Sequence, residues 1–153
     1  MKTILMLSAL FLLSISAVGQ QNSEGYDPVL AKKLGADDYG MKWYVMVILK
    51  TGSNHEEDKA KRDSLFAGHM RNIGRLAELG KLVVAGPFGE NDKAYRGIFI
   101  LNVPTFEEAN ELLKTDPTIK QKIFAVDLFK WYGSAALSEY LGIHKKIQKM
   151  NIQ

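Results

Sequence analysis

The chain of 153 residues carries 20 Lys and Arg against 17 Asp and Glu, a formal net charge of +3, and no cysteine. Charges of both signs are interleaved, as in EEDKAKRD at 56–63, so the basic stripe of a nucleic-acid binder is missing. Without cysteine there are no disulfides, no thiol nucleophile and no thiolate metal site.

Residues 1–19, MKTILMLSALFLLSISAVG, have one early cation, Lys2, an apolar run from Ile4 to Ile15, and small residues at Ala17 and Gly19. That is the plan of a secretory signal, cut before Gln20, and the twelve-residue apolar run falls short of the ~20 needed to span a bilayer. The expectation is a secreted or periplasmic protein with no membrane attachment after cleavage. Residues 20–41 read as a polar leader holding one short helix: Asp27 caps, Pro28 takes the first helical position, and Gly35 stops VLAKKL.

WYVMVIL at 43–49 is a strand, aromatic and β-branched without clean alternation, and is expected to be covered on both faces. A long helix is predicted over 57–79, with Leu65, Phe66, Met70, Ile73, Leu76, Ala77 and Leu79 at helical spacing and Gly80 just beyond its end. KLVVAGPF (81–88) and YRGIFILNV (95–103) form two strands joined by the turn-rich GENDKA. Thr105 and Glu108 make a capping box for FEEANELLK, TDPTIKQ breaks that helix, and KIFAVDLFKWY (122–132) is the fourth strand. Ser134 caps a last helix running through AALSEYLGIHKKIQK, apolar at Leu137, Tyr140, Leu141, His144 or Ile143, and Ile147, so that 134–153 forms a C-terminal helical segment.

The order β-α-β-β-α-β is the split βαβ, ferredoxin-like pattern: an α+β fold in which a four-stranded antiparallel sheet carries two helices on one face. Its second face needs a cover, either the C-terminal helix or a second copy of the chain.

Few residues offer chemistry. His69 lies four after Leu65 and four before Ile73, on the oily face of the long helix. It is either a core histidine with satisfied nitrogens or one half of a working pair, which requires a carboxylate and a cavity. Asp116, before Pro117, is either that carboxylate or the N-cap of a short turn whose N–H groups it binds. Asp127, which interrupts the fourth strand, and Arg96, whose planar fork suits a carboxylate, are weaker candidates for substrate binding. His55 and His144 read as surface residues, and the three histidines lack the i, i+4 spacing of a zinc helix, so neither metal nor cofactor is expected.

Several of these stretches together resemble the YCII-related family. They are H-x10-GKLVVAGP beginning at His69, the glycine-bearing RGIFIL, the EEA of the next helix, the Asp-Pro at 116–117 and the last strand ending in Trp131-Tyr132. The resemblance spans about 42–133. It implies a ferredoxin-like domain that pairs into a dimeric α+β barrel, hence a homodimer. It also implies a pocket in which His69 and Asp116 lie together as the active pair. Most members have no established reaction; a related activity is dehydrochlorination of a chlorinated hydroxyquinol. An imidazole with its ordinary pKa of ~6.5 exchanges protons at working pH, and a carboxylate on its other nitrogen fixes the tautomer. The implied function is therefore proton transfer on a small molecule, of lyase or isomerase type. The alternative is a dimeric module that binds a small ligand without turning it over.

Overall fold

The computed structural model describes residues 25–150; the expected signal segment and residues 20–24 of the leader lie outside them. The first element is the short helix α1 (Pro28–Leu34), capped as its sequence requires. The Asp27 carboxylate accepts from the N–H groups of Val29 and Leu30, and Gly35 closes the helix in the left-handed region at φ 71°.

Four strands, β1 (Met41–Thr51), β2 (Leu82–Pro87), β3 (Tyr95–Leu101) and β4 (Phe124–Ser134), form one antiparallel sheet in the order β2-β3-β1-β4. The long helix α2 (Lys59–Glu78) and the helix α3 (Phe106–Leu113) connect them, followed by a single turn, α4 (Pro117–Lys120). This is the α+β arrangement expected from the order of elements. β1 is longer than WYVMVIL because it pairs with β3 on one side and, over its whole length, with β4 on the other.

The core fills the helix side of the sheet. Val45, Val47 and Leu49 of β1 meet Leu82, Phe99, Leu101 and Val103, and Leu76, Ala109 and Leu113 close over them from the helices. Val126 and Leu128 of β4 pack against the same cluster.

The opposite face departs from expectation. β1 is not covered on both sides: Met46, Ile48 and Lys50 point away from the helices and stay half-buried. A second cluster of Tyr44, Val83 and Ile100, with Trp131 and Leu137 against it, covers only one end of that face. Its cover is a turn of 3-10 helix (Ala135–Ser138) and then α5 (Tyr140–Ile147), not one continuous helix. The Tyr140 hydroxyl ties α5 down by donating to the Val83 carbonyl at 2.5 Å. Past that anchor the predicted apolar stripe is not packed: Ile143 is 63% exposed and Ile147 75%.

β4 also starts two residues later than the apolar pattern suggests. Lys122 adopts φ 59°, its N–H donates to Ile119 and the N–H of Ile123 to Thr118. These two bonds satisfy the open carbonyls of α4 in the manner of a left-handed helix stop. Residues 122–123 thus finish α4 before the strand can begin.

Candidate functional site

α2 starts at Asp58, whose carboxylate accepts from the N–H groups of Ala60 and Lys61, and that register turns His69, Asn72 and Leu76 inward. α4 starts at Asp116, which accepts from the Thr118 N–H. The two helices approach so closely at one point that a Cβ on Gly68 would stand 2.7 Å from Cγ of Pro117. A glycine in mid-helix, beside the histidine, is what allows Asp116 to reach His69.

Asp116 both caps α4 and touches His69, and its two oxygens divide these contacts. Oδ1 is the cap: it accepts from the Thr118 N–H at 2.9 Å and from the Thr118 hydroxyl at 2.6 Å. Oδ2 is the partner: it lies 2.6 Å from Nδ1 of His69. The group is enclosed, with Asp116 1% exposed, Thr118 0% and His69 7%. Burial pushes the Asp116 carboxyl up, but the hydrogen bonds from His69 and Thr118 and the histidine's charge outweigh it, and the pKa lies below the usual carboxylate range. The carboxylate is therefore charged at neutral pH and, having no proton to give, accepts the hydrogen bond from the Nδ1 N–H. Among the described residues Nε2 has no hydrogen-bond partner, while no fully buried side-chain nitrogen or oxygen lacks one. Nε2 is thus the edge of the ring that keeps contact with solvent.

A second group holds the turn between α3 and α4 against α2. Arg75 donates to Asn72 Oδ1 at 2.8 Å and to the Thr115 hydroxyl oxygen at 2.9 Å, and that hydroxyl lies 2.9 Å from Asn72 Oδ1. Thr115 precedes Asp116, so this network helps to fix the carboxylate.

Gly68→Ala follows as a prediction with a built-in control. In an open helix the change would stabilise by up to about 1 kcal/mol. That gain is expected at Gly74 of α2, where a Cβ meets nothing within 4 Å. At Gly68 the rigid proline ring must move, and the expected result is a loss of about 1–3 kcal/mol. Urea midpoints of the two variants should therefore shift in opposite directions; equal shifts would show that the approach of Pro117 is not tight.

The other candidates are not brought to the pair. Asp127 pairs with Ile48 across the sheet, points to the open face and makes an ion pair with Lys50 at 2.7 Å. Arg96 is exposed and donates from Nε to the Thr51 hydroxyl at 2.6 Å. His55 and His144 are exposed. Among the described residues no group of three or more His, Cys, Asp or Glu is placed to hold a metal. Two concavities lie elsewhere, so neither meets the expectation of a cavity at the pair. One, of about 750 Å³, has Leu113, Ile119 and Val126 as its floor. The other, of about 330 Å³, sits at the β2–β3 turn.

Thr118 was legible only as a residue behind a cap, and its contact with the pair was not. Gly68 carried no signal of its own, since Gly74 sits in the same helical pattern and a Cβ there meets nothing within 4 Å.

Comparison with known proteins follows the same lines. The sequence pattern of the YCII-related domain matches residues 43–131. No curated protein matches. Among solved structures, 5-chloro-2-hydroxyhydroquinone dehydrochlorinase from Burkholderia phenoliruptrix, in complex with 2,5-dihydroxybenzoquinone, is similar at 22% identity and a TM-score of 0.40, over 57% of this chain and 92% of that one.

Proposed function

The chain belongs to the YCII-related family, and from that premise we propose that it is an acid–base enzyme acting on a small molecule through His69 and Asp116. The observation that carries the proposal is the buried 2.6 Å contact between Nδ1 and Oδ2, which leaves Nε2 as the free nitrogen. With the Nδ1 proton held by Asp116, Nε2 presents a lone pair. It can take a proton from a carbon next to a carbonyl or on an enolic ring, and return it at a neighbouring position or lose it as a leaving group departs. The carboxylate stabilises the imidazolium formed in between. Thr118 holds Oδ1, so the carboxylate cannot rotate away. No nucleophile is called for.

The test is exchange. Small carbonyl and enolic compounds are incubated with the protein in D2O and followed by proton NMR for loss of a C–H signal or for elimination. The expected result is protein-dependent exchange in at least one class. Binding seen by ligand-detected NMR, with no exchange over prolonged incubation, would replace the enzyme by a non-catalytic binding module.

The proposal includes export, supported by the pattern of residues 1–19, and a homodimer. Support for the dimer is the uncovered half of the sheet, where Met46, Ile48 and Ile98 stay only half-buried and Phe129 is 48% exposed. Such a contiguous apolar face marks an interaction surface. Sedimentation equilibrium of the parent should give the mass of two chains, and Phe129→Glu that of one. A parent that sediments as a single chain at micromolar concentration removes the dimer.

A further inference from the structure

The imidazole of His69 is walled by aromatic rings. Phe99 of β3 stacks on it, with centroids 5.8 Å apart and planes at 25°. Phe124, which opens β4, meets it edge-on at 5.5 Å and 67°. Phe66, one turn earlier on α2, meets it edge-on at 6.4 Å and 76° and also meets Phe124 at 5.6 Å and 87°. The Nδ1 side is closed by Asp116 and Thr118.

Helical side chains lean back toward the helix N-terminus, so the ring of His69 lies over the turn that carries Phe66. Phe99 is 2% exposed and Phe124 half-buried, whereas Phe66 is 37% exposed. Of the three rings around the imidazole, Phe66 is thus the one most open to solvent.

We propose that Phe66 is the gate of this site and the residue that selects what reaches Nε2. Closed, its ring rests edge-on against Phe124. Open, swung outward about χ1, it uncovers a slot whose walls are the rings of Phe99 and Phe124, and only a ligand thin enough to enter edgewise fits. The closed state is held by an edge-to-face pair, an interaction that biases the ring without locking it. Surface rings change rotamer without unfolding the helix, so opening needs no rearrangement of α2. The purpose of the gate rests on the acid–base reading of His69; its existence does not.

The experiment measures access, not turnover. Intact protein is treated with diethyl pyrocarbonate at fixed pH, and labelling at each histidine is followed by peptide mass spectrometry. The exposed His55 and His144 serve as internal references. In the parent, His69 should label slowly against both. A minor open state is populated at ~10% or less, so removing the gate with Phe66→Ala should speed His69 labelling by about tenfold or more while the references stay constant. Phe66→Leu should fall between, and Phe66→Trp should stay slow. An unchanged His69 ratio in both Phe66→Ala and Phe66→Leu overturns the gate. So does an increase that climbs steeply with sub-denaturing urea, because that marks local unfolding of α2. Faster labelling without exchange on any compound keeps the gate and removes the enzyme; exchange lost in His69→Gln but labelling indifferent to Phe66 does the reverse.

Discussion

His69→Gln is expected to lower the turnover of any exchange reaction found for this protein by about 10²–10⁴-fold, the usual contribution of a positioned acid–base group. Glutamine retains an N–H that can donate to Asp116, so the buried carboxylate keeps a partner and the fold persists. It has no nitrogen that takes a proton at working pH. Asp116→Asn reaches the same end differently. The asparagine oxygen can replace Oδ1 in capping the Thr118 N–H. Its NH2 group then stands where Oδ2 met Nδ1 and must donate to it. The ring's own proton moves to Nε2, which turns a lone pair into an N–H toward the ligand. Loss of the correct tautomer alone has cost roughly 10⁴-fold in a related arrangement. The measurement is kcat/KM for exchange in the parent and both variants. Parent-like rates in either variant would mean that the proton is moved by another group.

Asp116→Ala should be strongly destabilising, at about 3–5 kcal/mol, the range for removing one member of a buried pair. It leaves the Thr118 N–H, the Thr118 hydroxyl and Nδ1 of His69 without their acceptor in a closed site. Asp116→Asn keeps the cap and should lose markedly less, and what it loses should depend on pH. The folded carboxyl lies below its ordinary value. Its charge therefore contributes stability that is complete above the unfolded pKa of about 3.9 and fades as pH falls through the folded value. Urea unfolding at several pH values should show the parent ahead of Asp116→Asn above about pH 5, with the gap closing below about pH 4. A gap that is constant with pH would mean that folding does not hold the carboxyl below its ordinary value.

Much of this was legible in the sequence, and the exceptions share a cause. Asp27-Pro28 and Gly35 act through neighbours a few residues away, and the structure follows them closely. Of the expected capping box it shows the Thr105 half, the Glu108 N–H donating to the Thr105 hydroxyl. His69 was visible as an anomaly on an oily face. Its contact with Asp116 crosses 47 positions and depends on Gly68 and Pro117 meeting, which no spacing rule encodes. Lys122 in the left-handed region gave no signal either, because that conformation is ordinarily marked by glycine. The last helix failed for want of a partner surface: its periodic apolar residues predicted burial, but beyond Ala135, Leu137 and the Tyr140 end, Ile143 and Ile147 stay exposed. The open half of the sheet was foreseen as a need for cover, and the described residues do not supply it.

The central position of β1 bears on how the protein comes into being. Its edge toward β4 is paired by residues 124–134, the last strand in the chain, with Met41 opposite Ser134 and Thr51 opposite Phe124. A chain still being synthesised exposes that hydrogen-bonding edge until more than seventy residues past β1 have emerged. An unpaired edge on an apolar strand invites pairing with another chain. Closing it requires contacts distant in sequence, which form slowly. Fragments that end before Phe124 are therefore expected to pair with one another, and β1 becomes safe to its neighbours only once β4 has joined it.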